Sequence, residues 1–452
     1  MKDLTDSSIA RNIVQMALPI AFGMFFQTLY ILIDLYFVAG LGDAALAGVN
    51  AAGNMMFIVL ALTQVLQVGT VSLISRAVGR KDKADANLVF NQSLSLSATA
   101  TVVTLVLGYL LCAPYMRTLG ADAATVVAGI QYLYWFLPSL ALQFALVSMG
   151  GALRGTGIVQ PTILVQIITV VLNAILAPVL IAGWGTGYKM GVAGAGLASS
   201  LSVAVGVVLL ALYFHRLEKY VAFDPKEWSP RLSVWKRVLN IGWPSGGEFA
   251  LMFVYMVVIY RITRPFGPEA QAGFGVGMRV MQSLFLPAMA VAFAAAPIVG
   301  QNYGAGKFNR VRETFGLAVL FGSCIMLCLT IFCQFEAKLL VGFFTQEPHA
   351  LAVGGQFLRI ISWNFLASGV VFTASAVFQG LGNTIPSVYS SASRLLTFVI
   401  PAFWLSMQPS FQLVEVWYFS VASVALQAIF SLWFVRREFR HRVPAIVQPA
   451  NA

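Results

Sequence analysis

The sequence predicts an all-α integral membrane protein, with twelve transmembrane helices as two pseudo-symmetric six-helix bundles around a central cleft. Three observations predict it. Of 452 residues, 59% are hydrophobic and only 10% charged, whereas a soluble globular chain is nearer one-quarter charged. The apolar residues fall in blocks of about twenty, long enough to cross a hydrocarbon core of ~30 Å as helix. The second half of the chain also repeats the first. The weakly alternating ten-residue segments of a β-barrel are not present.

Twelve blocks can be marked, at 13–38, 46–75, 88–112, 130–153, 160–183, 192–214, 237–262, 270–298, 314–335, 356–379, 385–406 and 413–435. The first lacks a small-residue cleavage site and is too long for a signal peptide, so it is expected to remain as helix one. Net charge is +11, which could suggest nucleic acid, but the distribution says otherwise. With the N-terminus on the cytoplasmic side, the inner loops hold twenty Lys and Arg and the outer loops five (Arg117, Lys189, Arg261, Arg264 and Lys338). That bias places both termini in the cytoplasm, and a bacterial inner membrane is the expected location. Cys112, Cys324, Cys328 and Cys333 lie in apolar blocks and, with three scattered histidines, form no metal-ligand pattern. No cofactor is expected.

A shift of 225 residues brings the two halves into register. Pro19 meets Pro244 and Pro161 meets Pro386, while Gly42, Gly48, Gly79, Gly129, Gly155 and Gly157 meet Gly267, Gly273, Gly304, Gly354, Gly380 and Gly382. Chance predicts roughly one such Gly–Gly match. Six blocks per half is an even number, so both copies enter the membrane from the same side. The expected organisation is an N-lobe at 1–214, a linker at 215–236, a C-lobe at 237–436 and a tail at 437–452.

A charge at bilayer depth costs at least ~2.5–3.5 kcal/mol, so each one needs a reason. Of seventeen acidic residues, Asp34 and Glu248 stand well inside blocks. Asp34 shares a helical face with Gln27 and Tyr30. The shifted face of helix seven reads Glu248, Met252 and Tyr255. Asp34 is a candidate coupling-cation site, because a desolvated carboxyl can titrate in the physiological range; the alternative is a structural hydrogen-bonded acid. Glu248 could face a cationic substrate or pair with Arg279, Arg359 or Arg394. Asn50, Asn54 and Gln64 share a face of helix two and Asn173 stands alone in helix five, as cavity groups or as interhelical hydrogen bonds. Met252 and Tyr255 belong to an adaptable cavity wall or to ordinary packing. Pro19, inside helix one, is a candidate bend. GQNYGAGKF at 300–308 is not a phosphate loop: its spacing is one residue too long, and Phe308 stands where Ser or Thr belongs. No ATP site is expected.

The segment ALPIAFGMFFQTLYILIDLYFVAGLGDAALAGVNAAG (17–53) and its image beginning IGWPSGGE resemble the MATE (multidrug and toxic compound extrusion) family of the MOP superfamily. So do the loops GRKDKAD and GQNYGAGK and the paired turns ALRGTGIVQPT and VFQGLGNTIPS. The resemblance runs from about residue 10 to 440. It implies two six-helix lobes that export cationic or amphipathic drugs in exchange for H+ or Na+. Asp34 matches the family's first-helix coupling acid, and Pro19 the proline at which helix one bends in some relatives. Gln27, Tyr132 and Asn173 match amino-lobe cavity positions of DinF-like members. Ala177 and Gly150 replace polar residues of several relatives. Glu248 lies about one turn from the seventh-helix acid of NorM-like members. Proton coupling is therefore favoured. The expected partners are small-molecule drugs or organic cations and membrane lipids, without nucleic acid, and the protein is expected to be a monomer. A lipid-linked oligosaccharide flippase of the same superfamily is the alternative function. An intramembrane enzyme using Asp34 and Glu248 is disfavoured by an offset of about 16 Å between them along equivalent helices.

Overall fold

Inside a bilayer no water is available for backbone hydrogen bonds, and a helix satisfies its own residue by residue. In a computed structural model, which describes residues 1–119, 122–218, 220–409 and 411–444, the chain forms thirteen α-helices. These are α1 (Ile9–Ala39), α2 (Asp43–Gly79), α3 (Lys83–Leu119), α4 (Ala123–Gly155), α5 (Gln160–Ala182), α6 (Val192–Arg216), α7 (Leu232–Thr263), α8 (Pro268–Gly304), α9 (Phe308–Gly342), α10 (Pro348–Ile361), α11 (Asn364–Leu381), α12 (Ile385–Ser406) and α13 (Leu413–Arg442). Among the described residues, twelve helical segments are long and apolar enough to cross a membrane, and α10 is not one of them. Residues 437–442 of the expected tail continue α13; residues 445–452 and Lys219 lie outside the described residues.

The repeat sets the helix starts. Helices α2, α3, α4 and α5 begin 225 residues before α8, α9, α10 and α12. Gly42 and Gly267 stand before α2 and α8 with φ of 103° and 92°, a backbone region open to glycine and closed to most side chains. The block expected as one helix at 356–379 is broken at Ser362–Trp363, and Trp363 is the repeat image of Pro138 in α4. Pro138 has no N–H for the carbonyl of Tyr134, which accepts from the Tyr109 hydroxyl at 3.1 Å instead. The image of that bond is present in the second half: Gln334 Nε2 donates to the carbonyl of Arg359 at 2.7 Å. Thr330 Oγ1 donates to the Ser362 carbonyl at 2.9 Å. The side-chain bond recurs in both halves, but the break does not: α4 runs unbroken through Pro138.

The helices group into two compact units, Met1–Asp3 with Phe22–Gly242 and Leu4–Ala21 with Trp243–Ala452. These divisions differ from the expected 1–214, 215–236 and 237–436. The first half of α1 belongs to the carboxy-terminal unit, and the linker with the start of α7 belongs to the amino-terminal one. Hydrogen bonding explains the linker. Asn87 accepts from Ala222 N at 2.8 Å and donates to the Tyr220 carbonyl at 2.9 Å. Asn91 donates to the Ala222 carbonyl at 2.9 Å and accepts from Asp224 N and Trp228 Nε1 at 3.0 and 3.1 Å. Gln92 bonds Glu227, Ser229 and Arg231. Three amides of α3 thus take up the backbone of a segment with no regular sheet or long helix to do so. The start of α7 is fixed by close approach. A Cβ on Gly242 would meet the Val65 carbonyl at 1.8 Å, and one on Gly69 the Val238 carbonyl at 2.3 Å. α1 runs as continuous helix through Pro19, two residues before the units divide at Ala21.

Two outcomes are expected. Gly242→Ala should lower the thermal unfolding midpoint in detergent, by about 3 kcal/mol of stability, as overpacking does. Gly247→Ala, with no atom within 4 Å of its added methyl, should leave the midpoint unchanged or raise it. Asn91→Leu leaves buried linker groups unpaired and should cost about 2–3 kcal/mol, with protease cleavage appearing first in residues 220–231.

Candidate functional site

Four helices of the amino-terminal unit assemble the candidate site. Asp34 lies on α1 one turn beyond Tyr30, Tyr132 on α4, Asn173 on α5 and Ser199 on α6. Glycine brings α6 in. A Cβ on Gly196 would stand 2.6 Å from the Tyr132 carbonyl, and one on Gly194 would stand 2.6 Å from the Leu180 carbonyl. The backbone of α6 therefore lies against both α4 and α5, and Ser199, one turn past Gly196, reaches between them. Ser199 Oγ donates to Asp34 Oδ2 at 3.0 Å, and Asn173 Nδ2 donates to Ser199 Oγ at 3.3 Å. The Tyr30 hydroxyl faces Ser199 and Asn173. Asn173 and Ser199 are wholly buried, and Tyr132 is 5% exposed, stacked on Phe136 at a centroid distance of 4.8 Å.

Two oxygens in this cluster have no hydrogen-bond partner, Asp34 Oδ1 and Asn173 Oδ1. A carboxylate normally accepts several hydrogen bonds, so one with a buried bare oxygen is poised to take a proton or a donor. The donors that face it are a hydroxyl and an amide nitrogen.

The other sequence candidates are placed elsewhere. Gln27, Asn50 and Asn54 are exposed and do not join the cluster. Gln64 is half-buried and lies near Gln67. With its amide oxygen turned to Arg154, Gln67 accepts at 3.1 and 2.9 Å from the guanidinium and donates to Gln64 at 3.3 Å. In the carboxy-terminal unit, Glu248 has Ser387 of α12 beside it, and its Oε1 is buried without a partner. Among the described residues no ion pair joins it to Arg279, Arg359 or Arg394. Met252 is 51% exposed, while Tyr255 is buried. The Tyr255 hydroxyl meets Ser420 Oγ at 2.9 Å, and its ring lies on Phe398 and 4.4 Å from the Arg394 guanidinium. It packs within the core.

Sequence reasoning missed Ser199, one small hydroxyl in the run ASSLS. The repeat could have found it. The images of Tyr30, Asp34, Tyr132, Asn173 and Ser199 are Tyr255, Ile259, Phe357, Phe398 and Val424, all buried at 9% exposure or less. A polar cluster in one unit is a hydrophobic core in the other. Selection for packing alone gives no reason for that asymmetry.

Comparison with known proteins identifies the family. The chain is 24% identical over 408 residues to the FAD transporter of Shewanella oneidensis, covering 89% of each chain. It is 25% identical over 419 residues to the probable multidrug resistance protein YpnP of Bacillus subtilis, covering 92% of this chain and 90% of the other. An outward-facing structure of a multidrug resistance MATE family transporter of the MOP superfamily superimposes with a TM-score of 0.90 at 26% identity over 98% of both chains. The MatE family model matches twice, at residues 19–179 and 244–404, two segments displaced by the 225-residue period. Those matches take in 322 of 452 residues, and the chain belongs to the MatE family of membrane transporters.

Proposed function

We propose that this multi-pass membrane transporter exports cationic or amphipathic small molecules in exchange for protons, with the Asp34 carboxylate as the exchanging group. The observation that carries the proposal is the bare buried Oδ1 of Asp34, whose other oxygen accepts from the Ser199 hydroxyl. Protonation neutralises a charge that is costly at bilayer depth, and deprotonation restores an anion that only Ser199 and its neighbours stabilise. Each form is favoured under a different condition, as exchange requires. Ala177 and Gly150, which stand where several relatives carry polar residues, support H+ over Na+. The twenty-to-five distribution of Lys and Arg supports cytoplasmic termini in a bacterial inner membrane.

Multidrug relatives support a broad cargo range, and the FAD transporter relative makes flavin dinucleotide the natural second cargo to test. In inside-out vesicles, dye uptake should follow an imposed pH gradient and not a sodium gradient. Asp34→Asn should abolish gradient-driven uptake. Ser199→Ala and Asn173→Leu should each reduce it about tenfold, the equivalent of one charge-assisted hydrogen bond of about 1.4 kcal/mol. Uptake that persists in Asp34→Asn with both gradients collapsed would contradict the proposal.

A further inference from the structure

The loop GQNYGAGKF, which fails as a phosphate loop, binds the chain's own beginning. Leu4 N donates to Gln301 Oε1 at 3.0 Å, and Asn302 Nδ2 donates to the Leu4 carbonyl at 3.3 Å. Lys307 Nζ donates to the Thr5 carbonyl at 3.2 Å, to Thr5 Oγ1 at 3.1 Å and to the Asp6 carboxylate. Arg310 donates to the Ser7 and Leu4 carbonyls at 2.5 and 3.4 Å, and its Nε donates to Asn302 Oδ1 at 2.9 Å. Leu4 is wholly buried. This cradle is not inherited from the repeat: the images of Gln301, Asn302, Lys307 and Arg310 are Arg76, Ala77, Asp82 and Asp85. Asp85 instead holds Arg80 and Arg237.

Of the seven hydrogen bonds to the segment, five come from the charged Lys307 and Arg310, and the cost of ordering the segment offsets much of what they contribute. Seated and free forms are then close in free energy, which suits a device that works in cycles. The strap leads directly into the half of α1 that belongs to the carboxy-terminal unit, and the other half of the same helix carries Asp34.

We propose that Leu4–Ser7 is a releasable strap, seated by Gln301, Asn302, Lys307 and Arg310, that anchors the first half of α1 and unseats during the transport cycle. The proposal rests on the proton-coupled reading above.

The test places Leu4→Cys in the full chain with Cys112, Cys324, Cys328 and Cys333 changed to alanine. Inside-out vesicles are treated with a membrane-impermeant maleimide, at rest and during dye uptake driven by a pH gradient. Labelling follows the unseated population and should quicken about tenfold during uptake; equal rates at rest and during uptake would overturn the strap. Lys307→Gln in the same background should label fast even at rest, and a resting rate unchanged by that substitution would also overturn it. Thr5→Cys, at a position 8% exposed, is the second probe where Leu4→Cys does not accumulate. If dye uptake fails under the pH gradient, the coupling reading falls by itself, and the resting comparison with Lys307→Gln still decides the strap.

Discussion

A carboxylate with one hydroxyl donor and one bare oxygen, buried among helices that cross a membrane, is the constraint around which the amino-terminal unit is arranged. An unpaired charge at such a depth is tolerated where it performs work. In the proposed mechanism, the surrounding helices let the charge form and vanish. Ser199 reaches Asp34 because Gly194 and Gly196 let α6 press against α5 and α4. Asn173 orients Ser199, and Tyr30 closes the group from the same face of α1. If a larger side chain held α6 away, the carboxylate would keep its desolvation and lose its donor.

Duplication supplied the scaffold and divergence supplied the chemistry. The two halves share helix starts and the side-chain bond to the carbonyls of Tyr134 and Arg359, and only the second breaks its fourth helix. They differ where Asp34 stands: the equivalent place is Ile259, packed with Phe357, Phe398 and Tyr255 in a hydrophobic core. The carboxy-terminal unit carries its own buried acid, Glu248, on a different turn and beside Ser387. It carries the strap cradle as well. The units are copies in architecture and unlike in their buried polar groups.

Much of this was legible in the sequence. Twelve apolar blocks, the 225-residue period and the pairing of glycines gave the helices and their order, because bilayer thickness and backbone hydrogen bonding leave few alternatives. Asp34 stood out as a candidate because an acid in an apolar block has few bland explanations. Its partner Ser199 was not, since serine is common in packed membrane helices and only the geometry of α5 and α6 selects one. The unit boundaries were not legible either. Hydropathy places Ile9–Ala39 in one helix, while the division at Ala21 depends on long-range contacts of Leu4–Ser7 and of the linker amides. Tyr255 looked like cavity lining from its helical face, yet its hydroxyl is spent on Ser420. A face shared along one helix does not tell which neighbour covers it.

The central claim is that Asp34 gains and loses a proton as cargo is exchanged. Infrared difference spectroscopy of the purified transporter in lipid reads this directly through the carbonyl stretch of a protonated carboxyl. Cargo binding should remove a band that returns when cargo is withdrawn, and Asp34→Asn should lack it. If the band is unchanged by cargo, or survives intact in Asp34→Asn, the exchanging proton resides elsewhere and the account is wrong.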